Sequence, residues 1–352
     1  MVFYSGYLDK KIFIMQTVII FKNDRLGDLF HSLNGINNIL NEHKNDNIII
    51  YLSKYSKDFS FLFDQTNVKV KFLNYHLTII EKFKILKVFF NNSINKVFIL
   101  SPKNFYFYLC CIFKKTKFYA ITIKEVNKNR PFLFLNKYLF KFRINNRKNK
   151  KKSESIKNII EDLCSNNLET KTKIINTNTT GQIKFNSLPR NRYCHFHFKK
   201  FLYKKKNWSF DNINSFLNIL LLKKYKIFLT SDIEKNEFNE IFKTNFKTIN
   251  FEKKNLNIMT SDINDDITYL ENIKSLDLFN LIKNASLVVS PHGTMTVMAS
   301  YLKVPVMDIF DDTINKIAFY EYKPDNKDYK FMILKLFSER QLLKINRLLS
   351  SV

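Results

Sequence analysis

The first half of the chain alternates short apolar runs with longer stretches in which every third or fourth residue is apolar. The short runs are rich in β-branched and aromatic residues, which is typical of buried parallel strands. These strand candidates are residues 16–21, 48–52, 68–70 and 96–100. Helical spacing over residues 28–40 and 78–90 predicts helices between them. Alternation of this kind predicts an open, mostly parallel α/β sheet.

The second half repeats this alternation. Its strand candidates are residues 192–198, 226–230, 285–289 and 304–310. Its helix candidates begin at Ser209 and cover residues 275–283, 295–302 and 332–349. The polar segment 176–182 has no apolar period and predicts a linker. We therefore predict two Rossmann-like lobes, residues 1–180 and 181–335, with a cleft between them and a closing helix at 336–352. Met15 is a possible true start.

A glycine turn follows the strand candidate at 285–289. Gly293 is one of only five glycines in the chain, and glycine lets a backbone come close to a ligand. The N–H groups that begin the next helix can cradle an anion. Thr294 and Thr296 add hydroxyls, and His292 adds an imidazole. The motif predicts a phosphate site, with an ordinary strand–helix turn as the alternative.

The chain is strongly basic: 58 lysines and arginines against 31 aspartates and glutamates give a formal net charge of +27. The charge is spread over the chain without an arginine-rich arm, so nucleic-acid binding is an alternative and not the leading prediction. A basic surface attracts anionic lipid headgroups and phosphorylated substrates. The segment 114–152 interleaves lysines with aromatics. It predicts either a surface for such a partner or a solvated, poorly ordered face, with 145–152 as an exposed loop.

Metal and membrane signals are weak. The four cysteines form no CxxC pair, which favours reduced thiols in a cytoplasmic protein. His195 and His197 share one face of a predicted strand, but no third ligand lies nearby in sequence, so we predict no metal. The apolar runs 12–21 and 105–113 are too short to span a bilayer. Any membrane contact is therefore expected to be peripheral.

Three segments in this order resemble glycosyltransferase family 9, which includes the heptosyltransferases of lipopolysaccharide core assembly. Asp24-Arg25-Leu26-Gly27-Asp28 resembles the N-terminal signature of that family. Lys206-Asn207-Trp208 resembles its Lys-x-Trp element, and residues 290–299 resemble its glycine turn and donor-site helix. The resemblance runs from about residue 16 to residue 310. It implies the two-lobed GT-B fold.

The resemblance also implies an activity. The N-terminal lobe would bind the acceptor, and the C-terminal lobe would bind a nucleotide-sugar donor; transfer would invert the anomeric centre without metal or cofactor. Asp28 matches the catalytic carboxylate, although a carboxylate there could serve only the helix dipole. Expected donor contacts are Lys206, Glu234, His292, Gly293, Thr294, Met295 and Thr296. Expected acceptor contacts are Lys22, Arg25 and Gly27.

The partners implied are a nucleotide sugar and a lipid-linked or phosphorylated cell-envelope glycan, handled at the inner face of the cytoplasmic membrane. The motif departs from the family at two points. Pro291-His292 precede Gly293 where the family commonly has an aspartate, and Thr296 stands where it has a histidine. The donor sugar is therefore left open. The alternatives are a catalytically inactive relative that binds a sugar nucleotide or glycan, and a basic nucleic-acid-binding protein.

Overall fold

The structure is a computed structural model. It describes residues 16–125, 129–147, 154–165, 192–200, 202, 209–233, 237, 246–249, 257–261, 266–311, 316–324, 327–334 and 339–350. The predicted lobe boundary at residue 180, the linker at 176–182 and the candidate start at Met15 lie outside these residues.

The N-terminal lobe is built on one twisted sheet. Its strands are β1 (Thr17–Lys22), β2 (Asn47–Ser53), β3 (Val68–Leu73), β4 (Ile94–Ile99), β5 (Lys117–Lys124), β6 (Asn129–Arg130) and β7 (Lys141–Asn146). Six strands run parallel in the order β3-β2-β1-β4-β5-β7, and the two-residue β6 pairs antiparallel with β5. All six residues of β1 are buried, as its continuous apolar run requires.

Helices cover both faces of this sheet. They are α1 (Leu26–Glu42), α2 (Ile79–Asn91), α3 (Asn104–Ile112), α4 (Ile156–Cys164), and the 3₁₀ helices Lys54–Phe63 and Leu133–Tyr138. One face carries α1, α4 and the first 3₁₀ helix, and the other carries α2, α3 and the second 3₁₀ helix. A Cβ at Gly35 of α1 would lie 2.6 Å from Ile160 Cγ2 of α4. Glycine is therefore what lets these two helices pack this closely.

The C-terminal lobe has a second sheet. Its strands are β8 (Tyr193–Phe198), β9 (Lys226–Ser231), β10 (Phe246–Ile249), β11 (Asn257–Ser261), β12 (Ile267–Glu271), β13 (Leu287–Pro291), β14 (Val306–Asp311) and β15 (Tyr329–Leu334). Six are parallel in the order β12-β9-β8-β13-β14-β15, with β11 and β10 added antiparallel beside β12. The helices are α5 (Phe210–Leu222), α6 (Ser275–Lys283), α7 (Thr294–Tyr301), α8 (Lys316–Tyr322) and α9 (Glu339–Ser350).

Among the described residues, one of the three hydrophobic clusters spans both lobes. Side chains of α1 and α7 belong to a single buried cluster, and rings meet across the boundary. The centroids of Phe30 and Tyr301 are 6.2 Å apart, and those of Phe61 and Phe279 are 5.7 Å apart. A shared apolar boundary of this kind favours one fixed arrangement of the lobes over free rotation.

The predicted two-lobed α/β architecture is confirmed, with corrections at three places. The helix predicted over 332–349 is wrong at its start, because β15 continues to Leu334 and α9 begins only at Glu339. The apolar pattern read as one helix combined the last residues of the edge strand β15 with those of helix α9. Helix α1 begins at Leu26, two residues before the predicted start at Asp28.

The third correction concerns the basic segment 114–152. Its described part is not a poorly ordered face, because it supplies β5 and β7. Asn145 was predicted to open an exposed loop but is only 1% exposed in β7. Asn146 ends β7 and Arg147 follows it, whereas residues 148–152 of that predicted loop lie outside the described residues. In the described part of the chain, no helix has the length and apolar character needed to cross a bilayer.

Candidate active site

A cleft of about 1190 Å³ lies where the carboxyl ends of the two parallel sheets face each other. Open α/β sheets bind ligands at these ends. One wall is the turn between β1 and α1, and the opposite wall is the turn between β13 and α7. The two turns approach closely: a Cβ at Gly27 would lie 3.8 Å from Thr294 Oγ1. The N-termini of α1 and α7, each with free N–H groups, therefore converge on one cavity.

The first turn is held rigidly by buried polar contacts. Lys22 is 2% exposed, and its ammonium donates to Asp24 Oδ2 over 2.8 Å. The Asn23 amide donates to the carbonyl of Asn74 at 3.0 Å and accepts from the hydroxyl of Tyr106 at 2.8 Å. Lys22, predicted to bind the acceptor, therefore has its charge already paired inside the wall of the cleft.

Asp28 is the carboxylate of the first turn that lines the cleft without an ion-pair partner among the described residues. Burial, and to a smaller extent the negative charge of Asp24, raise the pKa of Asp28 to about 6. The cations Lys22 and Arg25 and a backbone hydrogen bond at Arg25 partly oppose this shift. A carboxylate with a pKa near neutrality is a stronger base than an ordinary aspartate, yet is still ionised at physiological pH.

His31 also lines the cleft, one helical turn after Asp28 on the same face of α1. Burial lowers the pKa of His31 to about 3, with smaller contributions from His292, Lys22 and Lys157. The ring is therefore neutral at physiological pH and can act as a hydrogen-bonding group. The sequence prediction missed His31, although its i,i+3 spacing from Asp28 was a usable signal.

The second turn presents His292 to the cleft. Its Nδ1 lies 2.7 Å from Asp308 Oδ2, and the ring stacks on Phe310 with centroids 4.3 Å apart. The hydroxyl of Tyr329 donates to the same carboxylate oxygen over 3.0 Å. With Asp308 ionised, Nδ1 carries the hydrogen and Nε2 is the ring nitrogen available to a ligand.

Asp308 is completely buried, and this burial raises its pKa, while its hydrogen bond from His292 opposes the shift. The sequence prediction missed it. A single aspartate inside the apolar strand candidate at 304–310 was the available signal, because a buried carboxylate requires partners.

Lys199 is a second missed residue of this turn. It directly follows β8, and its ammonium lies 3.5 Å from the carbonyl of His292. A Cβ at Gly293 would be 2.9 Å from Lys199 Nζ, so glycine lets the ammonium reach the turn. Burial lowers the pKa of Lys199, against the effect of Asp232 and Asp308. In sequence it was hidden among the many lysines that follow.

The remaining predicted donor residues fall in three groups. Gly293 and Thr294 line the cleft with His292. Thr296 is fully buried, and its hydroxyl accepts from the Gly293 N–H at 3.2 Å and donates to the Gly293 carbonyl at 2.8 Å. Met295 packs against the interlobe core. Thr296 and Met295 therefore shape the turn from behind. Lys206 and Glu234 lie outside the described residues.

The predicted acceptor residues Arg25 and Gly27 line the cleft on the first turn, beside a further cationic group that sequence reasoning missed. Arg147 at the end of β7 reaches across to Glu321 of α8, with a distance of 2.6 Å between Nη2 and Oε1. It also donates to the hydroxyl of Tyr322 at 3.1 Å. This ion pair links the lobes beside the cavity, and only the tertiary fold brings its partners together.

His195 and His197 have a structural role. His195 Nε2 and His197 Nδ1 lie 2.8 and 2.9 Å from the one hydroxyl of Thr230. Burial lowers the pKa of both rings to about 3. Among the described residues, no cluster of three metal-ligating side chains occurs. These two histidines are therefore best understood as core residues of β8.

No protein-family model matches the chain, and no curated protein matches it in sequence. Solved structures match it over almost its whole length. The Escherichia coli heptosyltransferase WaaC with ADP is 12% identical with a TM-score of 0.61, covering 96% of this chain and 99% of that chain. The Escherichia coli ADP-heptose lipopolysaccharide heptosyltransferase II is 11% identical with a TM-score of 0.62, covering 96% and 98%. The chain has the fold of the heptosyltransferases.

A glycosyl transferase family 9 structure from Veillonella parvula shows the same heptosyltransferase fold, with 9% identity, a TM-score of 0.63 and coverage of 96% and 98%. The expected GT-B architecture is thus confirmed. The UDP-GlcNAc 2-epimerase of Methanocaldococcus jannaschii is also similar, with 14% identity, a TM-score of 0.55 and coverage of 95% and 92%. Since this fold supports both transfer and epimerisation, the reaction must be argued from the cleft.

Proposed function

We propose that this protein is an inverting glycosyltransferase that moves a sugar from a nucleotide-sugar donor to a cell-envelope glycan. The observation that carries the proposal is Asp28, a carboxylate whose pKa is raised to about 6 by burial in the cleft between the lobes. It faces a glycine turn at the N-terminus of α7. The base and the anion cradle of a transfer reaction thus lie on opposite walls of one cavity.

In the proposed reaction, an acceptor hydroxyl attacks the anomeric carbon while Asp28 takes its proton. A C–O bond forms to the acceptor on the face opposite the breaking bond to the nucleoside diphosphate. The nucleoside diphosphate leaves with both electrons of that bond, and the configuration inverts. Transfer in this scheme uses no metal or cofactor, because protein cations and amides supply the positive charge.

The leaving group gathers negative charge as the bond breaks. Gly293 and Thr294, at the N-terminus of α7, line the cleft, so the first N–H groups of that helix and the Thr294 hydroxyl can stabilise that charge. Lys199 places an ammonium behind Gly293. The cationic form of His292, whose Nδ1–H is held by Asp308, can donate a further hydrogen bond from Nε2. The similar heptosyltransferase structures were solved with ADP and with an ADP-heptose analogue, which makes an ADP-linked donor the first candidate to test.

The acceptor side of the cavity is basic and partly aromatic. Arg25, Lys82 and Lys103 line it, and the ammonium of Lys103 lies 4.5 Å from the ring centroid of Tyr75. This combination suits an anionic acceptor such as a phosphorylated or lipid-linked glycan. We accordingly propose a peripheral location at the inner face of the cytoplasmic membrane, where such acceptors are assembled.

A thermal-shift screen with nucleoside diphosphates and sugar nucleotides tests the donor site. A ligand that binds only the folded state at 100 times its Kd adds about 2.7 kcal/mol of stability. We expect one nucleoside diphosphate to raise the melting temperature, and Lys199→Met to reduce that shift. Lys283→Met, an exposed lysine of α6, is the matched control and should behave as wild type.

Turnover then separates the possible functions. Transfer releases the nucleoside diphosphate and lengthens the acceptor, whereas an epimerase changes the sugar of the donor and needs no acceptor. Binding without turnover on a panel of phosphorylated glycans would identify a non-catalytic sugar-nucleotide-binding protein. A folded protein that shows no shift with any nucleotide, and instead binds DNA or RNA with a steep salt dependence, would overturn the proposal.

A further inference from the structure

Helix α2 carries two apolar faces, and within the described part of the chain only one of them packs against other elements. Ile85 and Phe89 point into the core beneath the sheet. On a different side of the helix, Ile79, Phe83 and Phe90 are 71%, 67% and 71% exposed. Their spacing of four and seven residues places them in one stripe along the helix. A soluble surface helix normally fills such a stripe with polar residues.

The neighbouring elements continue this apolar surface. Helix α3 and the 3₁₀ helix Leu133–Tyr138 pack on the same face of the N-terminal sheet as α2. Each exposes large apolar side chains, with Ile112 at 58% and Phe134 at 65%. We call the surface formed by these three elements the outer apolar face. Its exposed apolar residues are Ile79, Ile80, Phe83, Phe90, Tyr108, Ile112, Phe134 and Tyr138.

The charge on these three elements is positive. Together they contain four lysines, Lys82, Lys84, Lys87 and Lys137, against the single acid Glu81. Glu81 is committed to a capping box, where it accepts from the backbone N–H groups of Asn74 and Thr78 at 2.8 and 2.9 Å. These hydrogen bonds hold its pKa below the usual range. The outer apolar face therefore presents exposed apolar side chains together with uncompensated positive charge.

We propose that the outer apolar face docks on an anionic lipid bilayer. Apolar side chains flanked by lysines on a helix lying flat are the combination that inserts at the boundary of headgroups and acyl chains. A second copy of this face would bring lysines against lysines, so charge disfavours self-association through it. An anionic bilayer complements both the apolar stripe and the charge.

Docking in this orientation brings the cleft to the lipid surface. Lys82 of α2, Phe105 of α3 and Phe132 at the start of the second 3₁₀ helix all line the cavity. A lipid-linked acceptor could then enter without leaving its membrane. The inference deepens the membrane location given in the proposed function, but the docking itself requires neither donor nor turnover.

Co-sedimentation of the full chain with vesicles tests the docking surface. Vesicles of phosphatidylcholine with phosphatidylglycerol should bind the wild type at low salt, and pure phosphatidylcholine should bind it at least about tenfold more weakly. Phe83→Ser combined with Phe90→Ser should reduce the partition coefficient about tenfold or more. Lys84→Gln with Lys87→Gln should reduce it about 25-fold, which is about fivefold for each lysine.

The matched control lies on the opposite face of the same lobe. Tyr55 on the first 3₁₀ helix is 71% exposed, as Phe90 is, and exposed Lys54 and Lys57 flank it. Tyr55→Ser with Lys54→Gln and Lys57→Gln should bind vesicles as the wild type does. Circular dichroism and melting temperature confirm that each variant is folded.

Two vesicle results would overturn the inference: no binding by the wild type at low salt, or a loss of binding in the Tyr55 control variant as large as that in the α2 variants. A third is a dimer, measured by light scattering, that Phe83→Ser with Phe90→Ser converts to a monomer. The last result would reassign the face to contact between copies. Transfer to a soluble acceptor is measured separately. A failure of transferase activity therefore leaves the docking result standing, and the reverse also holds.

Discussion

Each of the two turns that face each other across the cleft contains or contacts an aspartate that is paired with a basic side chain, but the basic side chains differ. In the first, Asp24 Oδ2 pairs with the ammonium of Lys22 at 2.8 Å; in the second, Asp308 Oδ2 pairs with Nδ1 of His292 at 2.7 Å. In each case the other carboxylate oxygen is buried without a hydrogen-bond partner among the described residues. Each turn is thus supported by one such carboxylate. Asp24 belongs to the first turn and lines the cleft, whereas Asp308 is fully buried in β14 behind the second turn.

The difference lies in what each carboxylate controls. Lys22 is 2% exposed and holds its charge inside the wall, so Asp24 acts on its neighbour Asp28 through space and helps raise the pKa of Asp28. Asp308 acts through a ring that reaches the cavity, because His292 is 21% exposed. The first turn therefore prepares a proton acceptor, and the second orients a hydrogen-bond donor or acceptor. That division matches the two ends of a transfer reaction.

The largest expected effect is from removal of the proton acceptor. Asp28→Asn keeps the size of the side chain but cannot take a proton, so kcat should fall by about 10²–10⁴-fold. In the wild type, kcat/KM should decrease as the pH falls through about 6, where Asp28 becomes protonated. The measurement is a pH profile of transfer with the nucleotide sugar found in the screen.

Asp211→Asn is the control for this substitution. Asp211 also lies in the first turn of a helix, α5, but it is exposed and away from the cleft. Its variant should transfer as wild type. If Asp28→Asn turned over normally, or if its residual activity kept the same dependence on pH near 6, Asp28 would not be the base and the contrast between the turns would fail.

A smaller loss is expected at the second turn. His292→Ala should lower kcat and kcat/KM together by about 10²-fold, since its hydrogen bond strengthens as the leaving group gains charge. Asp308→Asn should cost about tenfold, because the ring is still present but no carboxylate holds its Nδ1–H and complements the cationic ring. Asp308 is thus a positioning residue.

A double variant distinguishes positioning from a structural role. If Asp308 acts only through His292, Asp308→Asn adds little to His292→Ala. Tyr329→Phe serves as the control, since it removes the other hydrogen bond to Asp308 and leaves the His292 contact in place. If the losses of kcat in Asp308→Asn and His292→Ala add up in the double variant, Asp308 stabilises the fold and does not act by orienting the His292 ring.

The features of the fold that the sequence predicted correctly are those whose signal is local. Alternating apolar runs predicted the two parallel sheets, because burial of a strand on both faces leaves a continuous apolar stretch. The glycine turn at 290–296 was also predicted from local sequence, because Gly293 and its polar neighbours are consecutive residues that follow an apolar strand. Lys199 could not be recognised as a site residue from the sequence. It differs from the neighbouring lysines only in its contact with the turn at Gly293, and this contact depends on the tertiary fold.

Long-range partners were beyond local patterns. Arg147 and Glu321 are 174 residues apart in sequence, and only the packing of β7 beside α8 joins them. Thr296 was expected to face the ligand, but the helix geometry turns its hydroxyl back to Gly293. In both cases the deciding information is the direction of a side chain after tertiary packing, which periodicity does not contain.

The smallest expected effect is on stability, and its sign depends on pH. The pKa of Asp28 is raised from 3.8 to about 6 on folding, so the folded state binds this proton more tightly than the unfolded state. The stability associated with that proton is fully present below about pH 4 and is lost as the pH rises through 6. At pH 7.5, burial of the charged carboxylate therefore costs the wild type about 1–3 kcal/mol.

Asp28→Asn removes this charge. Its free energy of unfolding should exceed that of the wild type by about 1–3 kcal/mol at pH 7.5, and the difference should be close to zero at pH 4. Asp24→Asn should do the opposite at pH 7.5, because it leaves the buried ammonium of Lys22 without its partner. Urea unfolding of the three proteins at both pH values measures this. An equal difference for Asp28→Asn at pH 4 and pH 7.5 would mean that packing, and not the buried charge, separates Asp28 from its neighbour.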